Sequence, residues 1–195
     1  MTIQKHLNFI KKSLGIADKT LPPGAPSLAV YYNEIGIVYK EMHDHKEALQ
    51  FFEKSRTINE NIYPPTHPDL ATSYDNIGDV YFRMGDHLKA LQFLEKSIKI
   101  RERVHVPNHH YLGHSYTKAG EVYEAMGDYC KALEFYEKAH SIFKTAFRPT
   151  HPDFLRLCDN ISAMYEKTSD SVKAHQFYEE AARIREQLLS TTSSA

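Results

Sequence analysis

The sequence has no tryptophan, only two cysteines and no long apolar run, and each shortage removes a class of protein. Cys130 and Cys158 match neither a disulfide framework nor the close cysteine pairs of a metal knuckle, so a reducing, cytoplasmic setting is expected. No stretch approaches the ~18 apolar residues that a membrane span needs. The N-terminal "MTIQKHLNFIKKSLG" lacks the apolar core and small-residue cleavage site of a secretory signal. A net charge of -1 supplies no basic field, so neither nucleic acid nor a membrane surface is an expected partner. Phosphate-cradling glycine loops, the G-x-S-x-G nucleophile elbow and the H-E-x-x-H helix are missing as well. A non-enzyme without cofactors is the expectation.

What the chain does have is repetition. "PTHPD" stands at 65–69 and again at 149–153, which puts His67 and His151 84 residues apart, twice 42. Written in rows of 42 from Leu28, the sequence aligns with itself over 28–69, 70–111, 112–153 and 154–195, the last row ending in a short polar tail. Each row holds two helical stripes. In the second row Tyr74, Ile77, Gly78 and Tyr81 share one helix face, and Ala90, Leu91, Leu94 and Ile98 share another. Gly85-Asp86 and Gly127-Asp128 mark the turn between them. Gly36, Gly78 and Gly120 recur inside the first helix, where a glycine costs ~1 kcal/mol against alanine, which implies a close helix crossing against Ala48, Ala90 and Ala132. "PTHPD" reads as a helix start, with Thr66 and Thr150 as N-caps, Pro68 and Pro152 in the first turn, and Asp69 and Asp153 completing a capping-box variant.

Residues 1–27 align with the back half of a row: "HLNFIKKSLGIADKTLPPGAPS" parallels "ALQFFEKSRTINENIYPPTHPD". The segment reads as an orphan second helix, either of a preceding repeat or as an N-terminal cap. The expected fold is therefore all-α: one lone helix and four helix pairs, nine helices in total. The aromatic columns Tyr39, Tyr81, Tyr123, Tyr165 and Phe51, Phe93, Phe135, Phe177 repeat at 42 and are assigned to the core. The "EKS" and "RER" charges of the second helices are assigned to a solvated face.

The pattern Tyr32, Ile35-Gly36, Tyr39, Ala48, Phe52, Ser55, repeated as Tyr116, Ala119-Gly120, Tyr123, Ala132, Tyr136, Ala139, resembles the tetratricopeptide repeat. Its 42-residue period and "HPD" junctions are similar to the kinesin light chain subclass. The resemblance implies an α-solenoid, a right-handed superhelix with the first helices lining a concave groove, and a scaffold or adaptor role. The fourth row departs from the pattern with Cys158 at the aromatic position, Ser162 for glycine and His175 for leucine; terminal repeats are often atypical because one face meets water.

On that geometry, ligand contacts come from the outer stripe of each first helix: Asn33, Glu34 and Ile37; Asp75, Asn76, Asp79 and Phe82; Lys118 and Glu121; Asp159 and Asn160. Asn76 and Asn160 share one column, and an asparagine amide can hold both the C=O and N–H of a peptide bond. The full stripe carries eight acids and five bases, with Lys118 alone in its row beside Glu121 and Glu124, so no clamp for an acidic C-terminus is present. An extended segment of neutral, mixed or basic character is the expected ligand, anchored against Phe82 or Ile37.

The histidines do not assemble into a metal-ligand set by spacing. His109, His110 and His114 cluster, and His43 and His45 form an HxH, but no cysteine or carboxylate completes a set at ordinary ligand spacing, so no metal is expected. Cys130 opens a second helix, a position that lowers a thiol pKa, but no base partner for it is evident. The alternative to a peptide-binding scaffold is a regulatory or self-associating segment of a larger protein, stacking through its open ends.

Overall fold

A computed structural model describes residues 3–103, 110–146 and 151–192, and every regular element among them is an α-helix. The chain divides into two compact units, residues 1–104 and 105–195. The first contains α1 (Ile3–Thr20), α2 (Pro26–Glu41), α3 (His45–Ile62), α4 (Pro68–Arg83) and α5 (His87–Arg103). The second contains α6 (His110–Ala125), α7 (Tyr129–Ala146), α8 (Pro152–Lys167) and α9 (Ser171–Thr192). The helices α2, α4, α6 and α8 all have 16 residues and begin at 26, 68, 110 and 152, reproducing the 42-residue step.

Local chemistry fixes where the helices start. Before each second helix an aspartate accepts the backbone N–H three residues on: Asp44 from Glu47, Asp86 from Lys89, Asp128 from Lys131 and Asp170 from Lys173, at 3.1–3.3 Å. The residue before that aspartate is left-handed, with φ +79° at Gly85 and +78° at Gly127. His43 (φ 60°) and Ser169 (φ 65°) hold the same conformation without glycine's freedom. The "PTHPD" starts differ from expectation. The N-caps are His67 and His151, whose Nδ1 accepts the N–H of Asp69 and Asp153 at 3.2 Å. Proline at the first helical position moves the cap one residue past Thr66, which is left exposed; Thr150 lies outside the described residues.

In the first unit, Leu7 and Ile10 of α1 close on Ile35 and Val38 of α2, and Ala48 and Phe52 of α3 close on Ile77 and Val80 of α4. Leu70 and Ala71 meet Ile100 at the α4–α5 pair. Each of these Leu, Ile, Val and Phe side chains contributes ~1.5–3 kcal/mol when fully buried. In the second unit Tyr136, Phe143, Leu157, Ile161 and Met164 are fully buried. A Cβ on Gly78 would stand 2.9 Å from Leu94, and one on Gly120 2.5 Å from Tyr136, so the recurring glycines do mark close approach within a helix pair.

The Tyr–Phe columns are not the deep core. They form stacked pairs on the flank of each helix pair, at centroid distances of 5.5, 5.6, 5.3 and 5.8 Å from the first pair to the last. Most of these rings stay half-buried, with only Tyr165 buried. Their open faces receive lysines: Lys54, Lys96 and Lys138 lie 5.0–5.1 Å above Phe51, Phe93 and Phe135. Lys54 and Lys96 are the "EKS" lysines and Lys138 holds the same column in "EKA"; all three therefore pack against rings as well as facing water.

The last pair breaks the rule in a coupled way. Ser162 replaces the crossing glycine and donates to the Ala174 carbonyl at 2.8 Å. Tyr178, in the column of the buried Phe52, Leu94 and Tyr136, is 59% exposed. With the glycine gap filled, the aromatic ring stands outside.

Candidate functional site

Within the first unit, α2 and α4 present the predicted stripe side by side. Asn76 Nδ2 donates to Asn33 Oδ1 at 2.8 Å, joining two of the expected contact residues across neighbouring first helices. That bond uses one of the amide's two N–H groups. Lys40 and Asp79 form a second link at 2.7 Å, and Arg83 approaches the same carboxylate at 3.4 Å. Ile37 and Phe82 are half-buried, the first packed on the α3–α4 cluster, the second 5.8 Å from the His87 ring; Glu34 is exposed.

Asp75 behaves otherwise. It is buried, and its carboxylate takes two hydrogen bonds from Arg101 of α5, at 2.9 and 3.3 Å, while Arg101 also reaches Thr72 and Ser97 at 3.2 Å. This residue joins a first helix to its own second helix.

Beside the asparagine pair, near the start of α2 and α4, lies a cavity of about 310 Å³. Val30 and Asn33 come from α2, Asn59 and Tyr63 from the end of α3, Thr72 and Ser73 from α4. Its polar floor is fixed: Asn59 Nδ2 donates to Ser73 Oγ at 3.0 Å, and Ser73 Oγ to the Asp69 carbonyl at 3.0 Å. The volume lies at the small end of ligand pockets. Asn59 and Tyr63 are missing from the sequence-derived set because they lie on, and just after, a second helix. The available signal was Asn59 itself, an amide that continues the buried stripe of Ala48, Phe52 and Ser55.

In the second unit the stripe is again charge-paired. Glu121 binds Arg156 at 2.7 Å, and Glu124 binds Lys167 at 3.3 Å while accepting the Tyr136 hydroxyl at 2.9 Å. Asp159 meets Arg185 of α9 at 2.6 Å, and Lys118 and Asn160 are half-buried. The acidity suggested by counting the lining is thus largely neutralised within each unit.

The histidines cluster loosely. His43 and His45 have ring centroids 6.1 Å apart, and His110 and His114 6.2 Å; His109 lies outside the described residues. His114 packs edge-on against Phe143 at 5.0 Å, and the loss of hydration there lowers its pKa, with Asp153 at 3.8 Å opposing the shift. Cys130 is exposed near the start of α7, while Cys158 is buried and its thiol is pushed up to about 12 by burial, with Glu180 adding to the effect. Among the described residues no helix is long and apolar enough to cross a membrane.

A sequence profile of the tetratricopeptide repeat matches residues 26–103, 69–145 and 111–187. No curated protein matches the sequence significantly. Among solved structures, a Podosopora anserina protein described as having kinesin light chain, nearly identical TPR-like repeats is 21% identical, with TM-score 0.77, covering 95% of this chain and 88% of that one. BtubC (BKLC) from P. vanneervenii is 19% identical at TM-score 0.84, covering 95% and 74%, and MamA is 22% identical at 0.68, covering 96% and 91%. At these identities the likeness is one of fold. Together with the 42-residue helix pairs and their glycine crossings, the profile match leaves one assignment: the chain belongs to the tetratricopeptide repeat family.

Proposed function

We propose that the chain is a non-catalytic protein-recognition scaffold whose first-helix faces take an extended peptide segment. The observation that carries this reading is the Asn33–Asn76 pair beside the 310 Å³ cavity: two amides with hydrogen-bonding capacity to spare, next to an opening rimmed by Val30 and Tyr63. A peptide backbone supplies the matching C=O and N–H groups, and a single apolar side chain fits a cavity of that volume. Ile37 and Phe82 extend the apolar surface along the same face. Lys40–Asp79 satisfies its own charge, and Glu34 is exposed, so a neutral, mixed or basic segment suits this face better than an acidic one.

The test uses peptides selected from a random library against the full chain. Asn76→Ala should weaken the selected peptides at least about tenfold, equivalent to ~1.4 kcal/mol, with little change in melting temperature. Asn160→Ala, measured separately, reads the second unit's face by itself. Undiminished affinity in both variants would refute the groove assignment.

A further inference from the structure

The last helix pair differs from the others at two positions that meet in space. Cys158 stands in the column of Tyr32, Tyr74 and Tyr116, and Glu180 in the column of Lys54, Lys96 and Lys138. In the first three pairs that lysine ammonium lies over that tyrosine ring, at 5.7, 5.5 and 5.9 Å. In the fourth, the ring has become a thiol and the ammonium a carboxylate. Both halves of one contact have changed together, from a cation over a ring to two metal-ligand side chains.

A third ligand comes from the preceding pair. His140 of α7 points its Nε2 at Glu180 Oε2, 3.2 Å away, and the ligand atoms of His140, Cys158 and Glu180 all lie within 4.8 Å of one another. The imidazole is held in place by Phe154 at 5.1 Å and Phe177 at 5.2 Å. Cys158 is fully buried, whereas the His140 and Glu180 side chains keep 14% and 25% of their exposure, so the cluster has a wet edge through which an ion can enter. Spacing along the chain hides this set because its members sit on three different helices.

We propose that His140, Cys158 and Glu180 form a site for a zinc-class divalent metal ion, with water as fourth ligand. One imidazole nitrogen, one sulfur and one carboxylate oxygen suit a borderline-soft ion and disfavour magnesium or calcium, which demand oxygen shells. Bond lengths of ~2.0–2.3 Å in a tetrahedral site put ligand atoms ~3.5 Å apart, so the widest separation closes by only about 1 Å. The thiol proton passes to solvent as the S–metal bond forms, and thiolate plus carboxylate balance the ion's charge beside a neutral imidazole. The ion would tie α7, α8 and α9 together.

The experiment titrates Co²⁺ into the full chain carrying Cys130→Ser, which removes the exposed thiol as a competing ligand. A thiolate-to-cobalt charge-transfer band saturating at one equivalent, displaced by Zn²⁺, is expected, with zinc also raising the melting temperature. Cys158→Ser should abolish the band. Glu180→Lys, which restores the residue of the other repeats at a partly exposed position, should weaken binding at least tenfold and keeps the test decisive if the serine variant does not fold. No thiolate band at stoichiometric cobalt, or binding indifferent to Glu180→Lys, would overturn the site and leave Cys158 as a small side chain filling the core.

Discussion

Phe52 lies so close to Gly36 that a methyl group in place of the glycine hydrogen would stand 2.7 Å from its ring. The ring is fully buried against the next helix pair and has nowhere to retreat. Replacing Gly36 with alanine therefore sets a gain in helix propensity of ~1 kcal/mol against an overpacking cost of ~1–3 kcal/mol. A net loss of stability is expected. Gly15, in α1 with nothing within 4 Å of its missing Cβ, should respond in the opposite direction. Thermal melts of Gly36→Ala and Gly15→Ala decide the point: equal shifts would mean that the crossing is slack.

Asp75 and Asp159 occupy the same column but differ in burial. Asp75 is enclosed with Arg101, and Asp75→Ala should cost ~3–5 kcal/mol by leaving a guanidinium without its counter-charge. The Asp159–Arg185 pair is open to water, and Asp159→Ala should cost no more than ~1 kcal/mol. Urea unfolding of the two variants checks the ranking. Similar losses would show that the Asp75 pair is not the internal strut its geometry describes.

His114 gives the fold a predictable response to acid. Burial against Phe143 lowers its pKa in the folded state, despite Asp153, while Lys118, Arg156 and His110 also disfavour its charge. Below the ordinary value of about 6.5, the unfolded chain binds a proton that the folded chain resists, so stability falls with pH. This contribution is intact above that value and is lost as pH drops through the lowered one. His114→Thr, the residue the second row carries at Thr72, should flatten the decline in melting temperature between about pH 7 and about pH 5. An unchanged slope would place the acid sensitivity elsewhere.

The sequence disclosed the period, the pairing of helices and the meaning of Gly36, Gly78 and Gly120, because close packing at a fixed step leaves identical letters at fixed positions. Side-chain direction was harder to read. Asp75 and Asp159 share one column, and their partners Arg101 and Arg185 share another, yet only the Asp75 pair is enclosed, a difference in burial that identical letters do not reveal. The helix starts are legible but their cap is not: Thr66 is the expected capping residue, whereas His67 does the capping, and Nδ1 of a histidine two residues before the amide is an uncommon cap. Cys158 is an anomaly visible in its column. Its significance needed the column of Glu180 to be read at the same time, and His140, one helix away, has no counterpart in other rows to draw attention to it.

The charge pairs between neighbouring first helices also impose a word order on the repeats. Lys40 meets Asp79 in the first unit, and Glu124 meets Lys167 in the second. Place the third repeat ahead of the second, and Glu124 falls where Lys40 was, opposite Asp79, with Arg83 in the column of Lys167 left to offset the repulsion. Place the first ahead of the fourth, and Lys40 faces Lys167. Each rearrangement sets like charges against each other, so units that look interchangeable in outline are grammatical in only some sequences.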